Sequence, residues 1–126
     1  MSLAEDSRLE RLTTLCLALP EAVRTFDGQH ARFAVGAKTF AYYLVDHHGD
    51  GVVALCCKAA PGENQALIAS DPARFFLPAY LGPKGWVSLR LDLEPIDWEA
   101  VAALVTEGYR LVAPKRLAAL ARRALA

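Results

Sequence analysis

The chain has no excess charge of either sign: fourteen Lys and Arg balance fourteen Asp and Glu. This argues against the long-range positive field of a generally basic nucleic-acid binder. The balance is uneven, however. Residues 1–28 hold five acids and three bases, and residues 110–126 hold five bases and no acid, which leaves room for a local positive patch. No apolar run reaches the roughly 20 residues that span a bilayer, so no membrane association is expected. The opening MSLAEDSRLERL lacks the basic-then-apolar layout of a secretory signal, and a cytoplasmic location is the expectation. Cysteine is scarce. Cys16, Cys56 and Cys57 have no C-x-x-C spacing, and adjacent strand residues face opposite ways, so buried thiols are expected rather than a metal grip. There is no Walker loop, dinucleotide glycine pattern, zinc-deaminase constellation or nucleophile elbow around Ser88, so no cofactor is expected.

At 126 residues, one domain over 1–126 with a real core is expected, and two ordinary ones are not. Its centre lies in Lys38–Val45 and Val52–Cys57, two apolar, β-prone runs flanking His47-His48-Gly49-Asp50-Gly51. That pattern predicts antiparallel neighbours joined by a loop of about five residues. Apolar residues on both faces of each run suggest a central strand, or one face left for a partner.

Before this pair, Leu9, Leu12, Leu15, Cys16 and Leu19 recur at helical spacing, ending at Pro20. Ser2 with Glu5 and Ser7 with Glu10 both have capping-box spacing. Residues Glu21 to Gln29 read as a connection, and His30–Val35 as a strand turning at Gly36-Ala37 into the next. In Lys38–Val45, alternation puts Phe40, Tyr42 and Leu44 on one face. Beyond it, Glu63–Ala69 reads as a short helix with Ala66, Leu67 and Ser70 near its packed side. Pro78–Gly85 reads as a shaped loop, and Trp86–Leu93 as a strand with Val87, Leu89, Leu91 and Leu93 on one face. Trp86, Ser88, Arg90 and Asp92 take the other. Asp97 is a plausible N-cap for a helix over Trp98–Thr106, which Gly108 interrupts. Pro114 suits the first turn of a terminal helix, with Leu117, Leu120 and Ala121 inward and Lys115, Arg116, Arg122 and Arg123 outward. The fold class is α+β: an antiparallel sheet packed with N-terminal and C-terminal helices.

These segments carry a resemblance. Cys16-Leu17-Ala18-Leu19-Pro20, Gly36-Ala37-Lys38-Thr39-Phe40-Ala41 and Cys57-Lys58 appear in order. Pro78-Ala79-Tyr80, Gly85-Trp86-Val87 and Tyr109-Arg110-Leu111-Val112 with Lys115 follow. Together they resemble the MmcQ/YjbR family over about residues 10–118. The resemblance implies a YjbR-like, secretion-chaperone-like sandwich and the DNA-binding double-wing role inferred for that family from its fold. Between Tyr80 and Trp86 the chain departs from the family pattern: Leu81-Gly82-Pro83-Lys84-Gly85 replaces a more polar, often more basic connection.

A phosphate-binding surface needs converging cations, and stacking needs an exposed ring. The candidates are Lys38, Lys58, Lys84, Trp86 and Arg90, with Trp86 and Arg90 four strand positions apart on one face. Each has a plainer role. The lysines can be solvated strand-end charges that limit edge pairing, Trp86 can pack under a loop, and Arg90 can pair with Asp92. Tyr80 and Tyr109 read as partly buried packing residues. The alternative to DNA binding is a protein-interaction or chaperone-like domain, or a homodimer, meeting its partner through apolar sheet surface. Catalysis is the least supported class. His47 and His48 read as loop residues, and only His30 with Asp27 or Glu21 suggests an acid–base pair.

Overall fold

The computed structural model describes residues 6–122. Helix α1 (Ser7–Leu17) buries Leu9, Leu12, Leu15 and Cys16. It starts where the second capping box places it, but Asp6 is the cap, one residue before Ser7. Its carboxylate accepts from the amides of Arg8 (3.0 Å) and Leu9 (3.3 Å). The Ser2/Glu5 alternative, like Arg123, lies outside the described residues.

Six strands follow: β1 (Ala22–Asp27), β2 (His30–Val35), β3 (Lys38–Val45), β4 (Val53–Lys58), β5 (Phe75–Phe76) and β6 (Trp86–Arg90). They form one antiparallel sheet in the order β1-β2-β3-β4-β6-β5. The expected connection over Glu21–Gln29 is in fact mostly β1, paired with β2 along its full length. Its sequence, AVRTFD, shows no alternation because the strand lies at the sheet edge. Only Ala22 escapes full exposure, so neither face selects for apolar residues.

β3 carries a bulge. Phe33 pairs with Ala41 and Ala34 with Thr39, which leaves Phe40 as the extra residue. Strict alternation therefore fails in this strand. Phe40 joins Ala41 and Tyr43 in the helix-side core, its ring edge-on to Tyr109 at 5.4 Å. Tyr42 packs instead against Trp86, 5.8 Å away. β6 ends at Arg90, earlier than expected, and Asp92 and Leu93 lie in the bend beyond it.

Helix α2 (Glu63–Ser70) follows β4, but its buried residue is Asn64 rather than Ala66. Helix α3 (Trp98–Val112) is capped by Asp97, which accepts from the Ala100 amide at 3.1 Å. It crosses the centre of the sheet and continues through Gly108, where an interruption is expected from the sequence. A Cβ at Gly108 would meet the carbonyl oxygens of Phe40 at 3.0 Å and Lys58 at 3.1 Å. Glycine here serves close helix–sheet approach. Tyr109 is fully buried, and its hydroxyl donates to the Pro20 carbonyl at 2.5 Å. The terminal helix α4 (Lys115–Ala118) is short. Leu117 and Ala121 are buried as expected, whereas Leu120 is exposed.

The helices cover one face of the sheet over Phe33, Phe40, Tyr43, Leu55 and Cys57. Part of the other face is closed by the segment from Leu77 to Leu81, whose Pro78 is buried. On that face Ala54 and Cys56 of β4 are buried, while Tyr42 and Leu44 of β3 stay half-buried. All three cysteines are free and buried. Burial pushes the Cys16 and Cys57 thiols well up and the Cys56 thiol up to about 12, so thiolate chemistry is disfavoured. Among the described residues no helix is long and apolar enough to cross a membrane.

Candidate nucleic-acid interface

Antiparallel pairing brings three of the five candidates to one end of the sheet. Lys38 opens β3, Lys58 closes β4, and Lys84 sits in a single 3-10 turn (Gly82–Lys84) just before β6. The Ala59 amide donates to the Gly85 carbonyl at 3.1 Å, tying the exit of β4 to the entry of β6. Lys58 and Lys84 line one cleft of about 620 Å³, together with Gly62, Asn64 and Gly82. Asn64 shapes this cleft from below: its side-chain amide donates to the carbonyls of Gly82 (3.3 Å) and Trp86 (3.2 Å). Nothing in the local sequence marks Asn64, because its partners lie 18 and 22 residues away.

Lys38 stands at the same end but leaves the sheet differently. Its register partner is Val35, on the helix side, whereas Lys58 pairs with Trp86. Among the described residues none of the three lysines has an acid within ion-pair distance. Acids are nevertheless near: Glu63 and Glu107 line a neighbouring 440 Å³ cleft with Lys58 and Arg110.

The other two candidates do not join this surface. Trp86 is only 7% exposed, sealed against Tyr42 and beneath the turn whose Leu81 carbonyl accepts from its backbone amide. An indole so placed offers no face to a base. This corrects the expectation of an outward ring, which fails because the non-helical face of β6 is roofed by Pro78–Gly85. Arg90 lies at the far end of β6 and grips Asp92 with two hydrogen bonds, 3.1 Å from Nε and 2.8 Å from the terminal nitrogen. That guanidinium holds the Asp92 carboxyl below its usual range. The plainer reading of Arg90 is the one realised.

Tyr80 also departs from expectation, being 81% exposed with its backbone in the left-handed region. His30 does not present itself as a general base toward Asp27 or Glu21. Its Nδ1 accepts from the Val45 amide at 3.1 Å, and its ring stands edge-on to His47. No group of three His, Cys, Asp or Glu among the described residues could hold a metal ion.

The YjbR family model matches residues 17–111. The chain belongs to the YjbR family. Among solved structures, the crystal structure of Deinococcus radiodurans protein DR2400, with a DUF419 domain, is similar at 26% identity and a TM-score of 0.70. The match covers 86% of this chain and 80% of that one. No curated protein matches. The matched span of this YjbR chain takes in all six strands, α2 and most of α3, and with them the three lysines at the sheet end.

Proposed function

We propose that this YjbR-family protein binds nucleic-acid phosphates weakly and without base readout, through Lys58 and Lys84 with Lys38 at the same sheet end. What supports the reading is the gathering, where β3, β4 and β6 meet, of three lysines that have no ion-pair partner among the described residues. Lys58 and Lys84 share a concavity whose wall includes Gly62, where a side chain would meet nothing within 4 Å, so little side-chain bulk keeps a phosphate from the backbone there. The buried Trp86 withholds stacking, and Glu63 and Glu107 oppose the field, so affinity is low. In low salt, fluorescence anisotropy with labelled single- and double-stranded DNA of mixed sequence is expected to show binding above a neutral control protein. Replacing Lys38, Lys58 and Lys84 together by Gln abolishes it. No binding to either DNA, or equal binding by the triple variant, sinks the reading.

A second reading, a protein partner or a homodimer, is favoured by β1. That edge strand has Val23 52% and Phe26 47% exposed and contains neither Pro nor Lys to blunt pairing. Static light scattering distinguishes it. A chain that dimerises with concentration, and reverts to monomer as Val23→Lys, supports this reading. A monomer with no copurifying partner removes it.

A further inference from the structure

Between α2 and α3 lies the 440 Å³ cleft that Lys58 shares with Glu63, Glu107 and Arg110. Its lining is ordered along α3, from Ala100 and Leu104 to Glu107 and Arg110, a span of about 15 Å at the helical rise. Phe75 marks the first end, because it shares with Ala100 the next cleft beyond. Lys58 marks the second: its carbonyl oxygen lies 3.1 Å from where a Cβ on Gly108 would stand. Glu63 is held near Lys58, its amide donating to the Ala60 carbonyl at 2.9 Å, and Leu67 follows one helical turn on. One end is therefore apolar, walled by Leu67, Phe75, Ala100 and Leu104, and the other carries charges of both signs. The four apolar residues are half-buried, open to the cleft rather than sealed in the core. Among the described residues the four charged side chains form no ion pair, with one another or with any other group.

We infer that this cleft binds a free α-amino acid with a large apolar side chain. Its ammonium faces Glu63 and Glu107, its carboxylate faces Lys58 and Arg110, and its side chain lies along Leu67, Phe75 and Leu104. Charge sets the head group. A plain anion would meet two carboxylates and a plain cation two bases, whereas a zwitterion finds a partner for each of its charges. Arg110 is partly committed: one terminal nitrogen donates to the Ala121 carbonyl at 2.8 Å, which steadies the guanidinium and leaves it further donors. Polarity sets the tail, since a head group alone would leave the apolar end in contact with water. Size sets the length. A cleft of 440 Å³ lies in the lower range of small-molecule sites, and the roughly 10 Å from Glu107 to Ala100 along α3 suits one amino acid with a ring-sized side chain. Only Lys58 is shared with the lysine cleft, so the site does not depend on nucleic-acid binding.

The test is protein-observed 1H–15N NMR on the full chain, titrated at millimolar concentration, where ligands of this size bind. The probes are L-phenylalanine, 3-phenylpropionate, which lacks the ammonium, phenethylamine, which lacks the carboxylate, and glycine, which lacks the tail. Phenylalanine is expected to give saturable shifts centred on the amides of Lys58, Leu67 and Leu104. Phenylpropionate and phenethylamine bind more weakly by about fivefold, the worth of one accessible ion pair, and glycine gives no shifts. Glu107→Gln changes an exposed residue of α3. It weakens phenylalanine, strengthens phenylpropionate, and so erases most of the preference between them. Ala103→Leu keeps a good helix former at a half-buried position of the lining and weakens phenylalanine by filling the cleft. The wild-type preference is readable even if either variant fails to fold. Absence of shifts around the cleft, binding of phenylpropionate or phenethylamine equal to that of phenylalanine, or an undiminished preference in folded Glu107→Gln overturns the proposal.

Discussion

Asp6 does three jobs with one carboxylate: it caps α1, pairs with Arg8 at 3.4 Å, and accepts from the buried Tyr43 hydroxyl. Burial alone would raise this carboxyl. The Tyr43 hydroxyl, the Leu9 and Arg8 amides and the Arg8 charge together outweigh it and hold the group below its usual value. A carboxyl depressed in the folded state stabilises above its unfolded pKa and loses that contribution as pH falls through the folded one. Stability should therefore decline below about pH 4, and urea midpoints across the acid range check it. Asp6→Asn is expected to cost about 2–3 kcal/mol at pH 7, combining a weakened cap with a lost charge-assisted hydrogen bond. The variant should also flatten the acid limb, and an unchanged limb would assign that limb to other carboxyls. Tyr43 carries the complementary sign. Burial and Asp6 raise its hydroxyl, so its contribution disappears as pH climbs above roughly 10. None of this was legible in the sequence, since Asp6 and Tyr43 are 37 residues apart. The Arg90–Asp92 pair, only two residues apart across the end of β6, was legible.

Elements declared themselves in the sequence where burial imposes a period. The α1 stripe and strand β2 do so, and their buried residues sit where the pattern predicts. β4 is buried on both faces, and β6 seals Trp86 and Ser88 as well as Val87 and Leu89, so alternation says less about them. β1 escaped because an edge strand open on both faces has no period to show, and the Phe40 bulge escaped because alternation carries no record of an extra residue. Gly108 misled for another reason: local propensity reads it as a helix breaker, while its neighbours are the backbones of two strands distant in sequence. On propensity alone, Gly108→Ala would stabilise α3 by about 1 kcal/mol. The 3.0 and 3.1 Å approaches to the Phe40 and Lys58 carbonyl oxygens reverse that sign, because backbone yields far less readily than a side-chain tip. We expect Gly108→Ala to destabilise by about 1–3 kcal/mol, as overpacking does, measured by urea unfolding. A stabilised variant would mean that α3 can lift off the sheet freely. Because Lys58 is one of the two contacts, the same substitution should also disturb the lysine cleft.

For the whole molecule, neutrality decides how polyanion binding should respond to salt. With fourteen charges of each sign, no net field gathers DNA from a distance, and only cations in contact with phosphates release counterions. Each such contact contributes roughly −0.9 on duplex and −0.7 on single strands to the slope of log K against log salt. Lys38, Lys58 and Lys84 together therefore set slopes of about −2.7 and −2.1. Lys84→Gln should remove about one contact's worth of slope on any DNA sequence. Arg90→Gln should leave the slope unchanged, because Asp92 already matches that charge and the pair lies at the other end of β6. A much steeper slope in the wild type would place the contact surface instead on the base-rich C-terminal segment, where Arg110, Lys115, Arg116 and Arg122 follow one another without an acid. The anisotropy titrations at several salt concentrations thus separate a three-lysine sheet end from a helical basic face.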